Sequence, residues 1–168
     1  MTAVAQTLSS FDPNSLLKHS QKELDELFQT LPSLKEGELN GVYRGRLFAI
    51  IGLGTLPVFL RNLLYRLLQT FINPWKGKRF DGKSGANIWF SKKGTLPYGY
   101  YTINSEGSAV DGEPVTHLSY DIDKNLKLLR PVRGETRKLS DGVYLARMNY
   151  QTRKKLVRVL YFTLDNIG

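Results

Sequence analysis

The sequence contains no cysteine and only two histidines, His19 and His117, among its 168 residues. Without cysteine there can be no disulfide, thiol nucleophile or thiolate metal site, and two imidazoles are too few for a His-rich centre, so no metal is expected. Long apolar runs are also missing. A membrane-spanning helix needs about 20 mostly apolar residues. The longest candidate here, Leu47 to Leu60, is interrupted by Gly52, Gly54 and Pro57 and followed by Arg61 and Arg66. The opening segment MTAVAQTLSSFDPNS has neither the basic start nor the apolar stretch of a secretory signal, which points to a cytoplasmic protein.

The usual catalytic signatures are absent too. There is no G-x-S-x-G elbow and no H-E-x-x-H, and Gly52-Leu53-Gly54 lacks the third glycine of a dinucleotide loop. One motif does match: residues 77 to 84, GKRFDGKS, fit the phosphate-binding pattern G-x-x-x-x-G-K-[ST]. A P-loop needs a buried strand before it and a helix after it. Here Asn73-Pro74-Trp75-Lys76 precedes the motif, and the strand-like Gly85-Ala86-Asn87-Ile88-Trp89-Phe90 follows it. The segment therefore reads as strand, turn, strand with Asp81-Gly82 at the turn, and no nucleotide or other cofactor is expected.

What the chain does have is 41% hydrophobic and 11% aromatic content, enough for one folded domain spanning residues 1–168. The formal net charge of +9 is concentrated late: Lys124 to Arg158 holds eleven basic residues against Glu135 and Asp141. Such a segment forms either the solvated faces of antiparallel strands or a surface that attracts polyanions. If these residues form one continuous face, weak and strongly salt-dependent binding to an anionic membrane surface or to nucleic acid is expected, and no specific nucleic-acid binding, because no base-reading motif accompanies the charge.

Two kinds of periodicity divide the chain. Ser20-Gln21-Lys22-Glu23 has capping-box spacing and precedes Leu24, Leu27 and Phe28, which predicts a helix ending near Pro32 inside a helical extension over residues 1–35. Leu60, Leu63, Leu64, Leu67, Leu68 and Phe71 recur at helical spacing and predict an amphipathic helix over 55–72. Elsewhere the period is two. Strands are predicted from Leu39 to Ile50 and, after the helix, over Ala86–Ser91, Tyr98–Asn104, Val115–Asp121, Lys127–Arg130, Gly134–Leu139, Val143–Tyr150 and Lys155–Leu164, separated by short turns. Sequential antiparallel strands remove their exposed edges by closing, so the expected fold is α+β and mainly β: an up-and-down barrel with N-terminal helical elements and an inserted amphipathic helix.

Gly41-Val42-Tyr43-Arg44-Gly45, followed about thirty residues later by Trp75-Lys76-Gly77-Lys78-Arg79-Phe80, resembles the GXWXG-type lipocalin-like proteins, with Tyr43 at the Trp position. The resemblance implies a small barrel holding an apolar ligand. It also implies an aromatic plug at Tyr43 flanked by Gly41 and Gly45, with Arg158, or else Arg147, stacked over the plug.

Strand parity then nominates a lumen. Asn87 and Trp89 share one face of their strand, as do Tyr98 and Tyr100 on the next, and His117, Arg147 and Tyr161 are the later polar or amphipathic candidates. Together they would form a pocket for a hydrophobic small molecule, lipid-like or polycyclic, with Arg147 selecting an acidic head group. Two alternatives follow from the same residues. His117 with Asp121 could act as an interior base for an isomerase, cyclase or hydratase, or the basic strands and the amphipathic helix could form a membrane-surface lipid-binding module.

Overall fold

The computed structural model describes residues 13–50, 58–68, 73–90 and 97–166. A short 3-10 helix, Pro13–Lys18, leads into α1, Gln21–Thr30. The capping box forms as expected: Glu23 N donates to Ser20 Oγ at 3.3 Å and Ser20 N donates to Glu23 Oε2 at 2.6 Å. Leu31 ends the helix because the following Pro32 disfavours helical backbone at the residue before it. Leu24 and Phe28, four residues apart, form its buried stripe.

Eight strands follow: β1 Gly41–Phe48, β2 Trp75–Asp81, β3 Ser84–Trp89, β4 Pro97–Gly107, β5 Pro114–Ser119, β6 Val132–Ser140, β7 Val143–Gln151 and β8 Leu156–Asn166. Each pairs antiparallel with the next, and β8 returns to β1 through pairs from Tyr43↔Asn166 to Phe48↔Tyr161, closing a barrel of lipocalin-like architecture. GKRFDGKS is the β2–β3 hairpin, with Asp81↔Ser84 as its last pair and Gly82 at φ +64° in the turn. The inserted helix is α2, Val58–Leu68. Residues 1–12 of the expected N-terminal extension, and 51–57 and 69–72 around α2, lie outside the described residues. Lys127–Arg130, expected as a strand, is instead part of a turn-rich β5–β6 connection in which Leu126 and Leu128 stand exposed. Among the described residues no helix is long and apolar enough to cross a membrane.

An up-and-down barrel has two ends. The β1–β2, β3–β4, β5–β6 and β7–β8 connections share one, here called the front; the tight turns at Gly82 and Gly142, the β4–β5 loop and the segment entering β1 share the rear.

Two hydrophobic clusters lie on opposite sides of the barrel wall. The first draws on all eight strands, with Tyr43, Trp75, Tyr101, Leu118, Tyr144 and Phe162 among its members, and is the lumen. The second joins Phe48, Val115, Leu139, Leu145 and Tyr161 to Leu16, Leu24, Phe28 and Tyr65 from the helices, and is the outer wall beneath them. Both faces of β6 to β8 are therefore buried, one by the lumen and the other by α1.

Candidate functional site

The lumen is organised around a lysine. Lys78, in the middle of β2, has its side chain fully buried. Its Nζ donates to Asn87 Oδ1 at 2.7 Å and to the Tyr120 hydroxyl, and Tyr120 OH donates to the same Asn87 oxygen at 3.0 Å. Trp75 Nε1 reaches that oxygen at 3.4 Å. Aromatic faces supply the remaining surroundings, with Nζ lying 4.6 Å from the Tyr101 ring centroid, 5.1 Å from Tyr120 and 5.4 Å from Phe162.

These partners are neutral, and among the described residues no carboxylate pairs with Lys78. Burial alone pushes its ammonium down to about 7, so amine and ammonium coexist near neutral pH. The same dry surroundings push the Tyr120 phenol well up, keeping it a neutral hydrogen-bond donor. Thr136, on the lumen-facing parity of β6, is fully buried, and its Oγ1 finds no hydrogen-bond partner among the described residues.

Glycines set the wall around this group. A methyl on Gly45 would come within 2.1 Å of the Trp75 ring, so the absent side chain is what lets the indole lie against β1. At Gly77, with φ +149°, a methyl would meet the Tyr43 carbonyl oxygen at 1.9 Å, so β2 is drawn tightly to β1 there. Toward the front, Leu47, Trp89, Met148, Tyr150 and Leu160 are partly buried against the lumen cluster. The rings of Tyr120, Tyr101, Phe80, Tyr43 and Tyr144 meet in succession, at centroid distances of 5.3 to 5.6 Å, running back to the rear end. A cavity of about 510 Å³ lies at that end, bounded by Leu34, Leu39, Lys83, Ile103 and Thr116.

The sequence-nominated residues divide between the two sides of the wall. Asn87 and Trp89 share the lumen face, and Trp89 Nε1 donates to the Tyr98 carbonyl at 2.9 Å. Tyr98 and Tyr100 do not share a face. Pairing runs from Asn87↔Tyr98 directly to Ala86↔Tyr100, leaving Gly99 at φ +75° as an extra residue that reverses the parity. Tyr98 stays at the rim, and Tyr100 turns outward under the ammonium of Lys124 at 5.6 Å.

His117, Arg147 and Tyr161 are on the outer wall rather than in the lumen. Arg147 Nε pairs with Glu135 Oε2 at 2.5 Å, Nη2 donates to Ser108 Oγ at 2.7 Å, and the guanidinium lies 4.3 Å from the Phe28 ring centroid. Tyr161 OH donates to Asp25 of α1 at 2.5 Å. His117 Nδ1 stands 4.0 Å from Glu106, and burial lowers its tendency to protonate. It faces away from the lumen, so the interior base considered from the sequence has no interior position. Its expected companion Asp121 instead pairs with Arg133 at 3.6 Å.

The aromatic plug also differs from expectation. Gly41, at φ +88°, opens β1, and Tyr43 is buried at the rear between Phe80 and Tyr144. Arg158 does not cover it. Tyr43 pairs with Asn166, at the far end of β8 from Arg158, which ion-pairs with Asp25 on the outer wall.

An eight-stranded closed barrel with an aromatic lumen and a buried cation defines the class of protein at hand. No family model matches the chain, and no curated protein matches it. A solved structure, described as the crystal structure of a protein from Thermomonospora curvata, is similar across 98% of this chain and 94% of that one, with a TM-score of 0.56. At 18% identity the likeness is one of fold.

Proposed function

We propose that this protein binds a small apolar molecule bearing an acidic head group in the barrel lumen, without transforming it. Lys78 carries the reading: a cation held in an aromatic interior with only neutral partners is an incomplete ion pair, and a carboxylate or similar acid on a guest would complete it. Asn87 and Tyr120 hold the ammonium in place. Trp75, Tyr101 and Phe162 offer ring faces to the apolar part of a guest, and Thr136 offers a hydroxyl with hydrogen-bonding capacity to spare. Eight-stranded barrels are near the size at which side chains either fill the interior or leave room for one small ligand, so a guest entering from the front would have to move the rings that now meet around Lys78. Arg147, nominated from the sequence for the acidic head group, already has Glu135; Lys78 takes its place in the proposal.

Trp75 and Trp89 are the protein's two tryptophans, so their fluorescence reports on the lumen directly. Titration with fatty acids and polycyclic carboxylic acids should give saturable quenching. The matching methyl esters should bind at least about tenfold more weakly, one charge-assisted contact being worth roughly 1.5–3 kcal/mol. Lys78→Met should abolish the acid-over-ester preference, while filling the rear cavity with Ile103→Trp, read by competition, should leave it intact. Equal binding of acid and ester, or a preference that survives Lys78→Met, would overturn the proposal.

A further inference from the structure

The two ends of the barrel differ in chemistry. With the exception of Val110, the large apolar side chains standing exposed among the described residues are at the front. Phe59 and Leu63, 75% and 52% exposed, lie on the side of α2 opposite Tyr65, which anchors that helix beside the end of β1 by accepting from Ile50 N. Phe90 directly follows β3, and Leu126 and Leu128 occupy the β5–β6 connection at 65% and 73% exposure.

Cations sit among them. Leu126 and Leu128 flank Lys127, Lys124 precedes them, and the β7–β8 turn adds Arg153, Lys154 and Lys155. Acidic residues toward this end are engaged: Asp121 and Asp123 by Arg133 and Arg130, and Asp25 of α1 by Arg158. Among the described residues no acidic side chain pairs with Lys127, Arg153, Lys154 or Lys155, whereas at the rear acids and bases face one another, Glu36 with Lys83, and Glu38 and Asp141 with Lys138. The basic third of the sequence is thus divided by the fold. Its strand arginines are spent on the outer wall, Lys138 pairs with Glu38 and Asp141 at the rear, and Lys124, Lys127, Arg153, Lys154 and Lys155 project from the front.

We infer that the front end is a docking surface for an anionic lipid bilayer, with Leu126, Leu128, Phe59 and Phe90 entering the interface and the surrounding lysines lying at headgroup level. A polyanion such as nucleic acid would engage the cations and leave the leucines in water. A bilayer engages both, because its interfacial region accepts apolar side chains and its headgroups accept charge. The rear, where acids and lysines are paired, gains no such attraction, which fixes the orientation and turns the front end of the barrel toward lipid.

The test uses the full chain and vesicles with no added ligand, so its outcome is independent of the lumen proposal. Co-sedimentation should show binding to vesicles of phosphatidylcholine with 30% phosphatidylglycerol and about tenfold or more weaker binding to phosphatidylcholine alone, each basic residue near such a surface adding a severalfold gain. Leu126→Glu with Leu128→Glu, and separately Lys154→Glu with Lys155→Glu, should each weaken binding about tenfold or more. Lys35→Glu with Lys83→Glu at the rear should leave it unchanged. Both front pairs replace exposed side chains, and an unaltered circular dichroism melt would show that the barrel is intact. Equal binding to neutral and anionic vesicles, or indifference to either front pair, would overturn the inference. So would binding to double-stranded DNA that exceeds vesicle binding and persists in the Leu126→Glu/Leu128→Glu variant.

Discussion

The indole of Trp75 occupies the place where Gly45 would carry a side chain, the two being separated by less than a van der Waals contact for any added methyl. Tyr43 and Gly77 repeat the relationship one step along, with backbone in place of a ring. The β1–β2 seam is thus set by two absent side chains, and it presents Trp75 to Asn87 and Asn87 to Lys78.

Gly45→Ala should therefore destabilise the barrel by about 2 kcal/mol through overpacking, a fall in Tm of roughly 4–8 °C for a protein of this length. Trp75→Leu in the same chain should recover part of that loss. Thermal melts of the two single variants and the double variant measure the coupling, and additive effects would contradict the packing described here.

Lys78 makes stability depend on pH in a particular direction. Its folded value, about 7, lies below the unfolded value near 10.5, so between them the unfolded chain binds more protons and stability rises with pH. Below pH 7 both states are protonated and this residue contributes no slope. Urea titrations at pH 7 and pH 9 should differ by about 2 kcal/mol in wild type, and Lys78→Met should be more stable at pH 7 and remove most of the difference. A wild-type profile matching that of Lys78→Met would show that the ammonium is solvated.

Glu135 and Arg147 form a buried pair across β6 and β7, with Ala109 N donating to the second carboxylate oxygen at 2.9 Å. Glu135→Gln should cost about 3–5 kcal/mol, because it strands a guanidinium beneath α1. Glu135→Leu combined with Arg147→Met should lie much closer to wild type, since neither charge is then left uncompensated. Chemical denaturation of the set reports the coupling energy, and a double variant at the sum of the singles would argue that each side chain acts alone.

ATP and GTP should not bind at residues 77–84. The hairpin offers no helix N-terminus to a phosphate, and Lys83 projects into solvent at 90% exposure. Calorimetric titration with magnesium present should be featureless, and saturable micromolar binding abolished by Lys83→Ala would contradict the hairpin assignment.

The barrel itself was legible because its signals are local: alternation along strands, Asp81-Gly82 at a tight turn, a capping box before Leu24. Which parity faces inward was not, for two reasons. First, α1 covers the outer wall of β6 to β8, so Glu135, Thr136 and Arg137 are buried in succession and alternation of polarity stops reporting the lumen. Second, the extra residue at Gly99 exchanges the faces of Tyr98 and Tyr100, a shift that a count by twos cannot anticipate. Lys78 was hidden differently. In Lys76-Gly77-Lys78-Arg79 it looks like one more solvated charge, and only the closure of the sheet shows that its neighbours point out while it points in. The hint was Asn87 on the next strand, nominated for its parity without its partner.

The pairing of β1 with β8 also constrains how the chain can be made. The hydrogen-bond partners of residues 43–48 are residues 161–166, so on a ribosome the first strand waits, with one edge unpaired, until more than a hundred further residues have emerged. The same holds for α1, whose Asp25 and Phe28 rest on Arg158, Arg147 and Arg137. Until those arginines arrive, the face of the helix that will be buried remains open to whatever is nearby, and the nascent chain depends on chaperones, or on its own speed, to keep that face from the wrong partner.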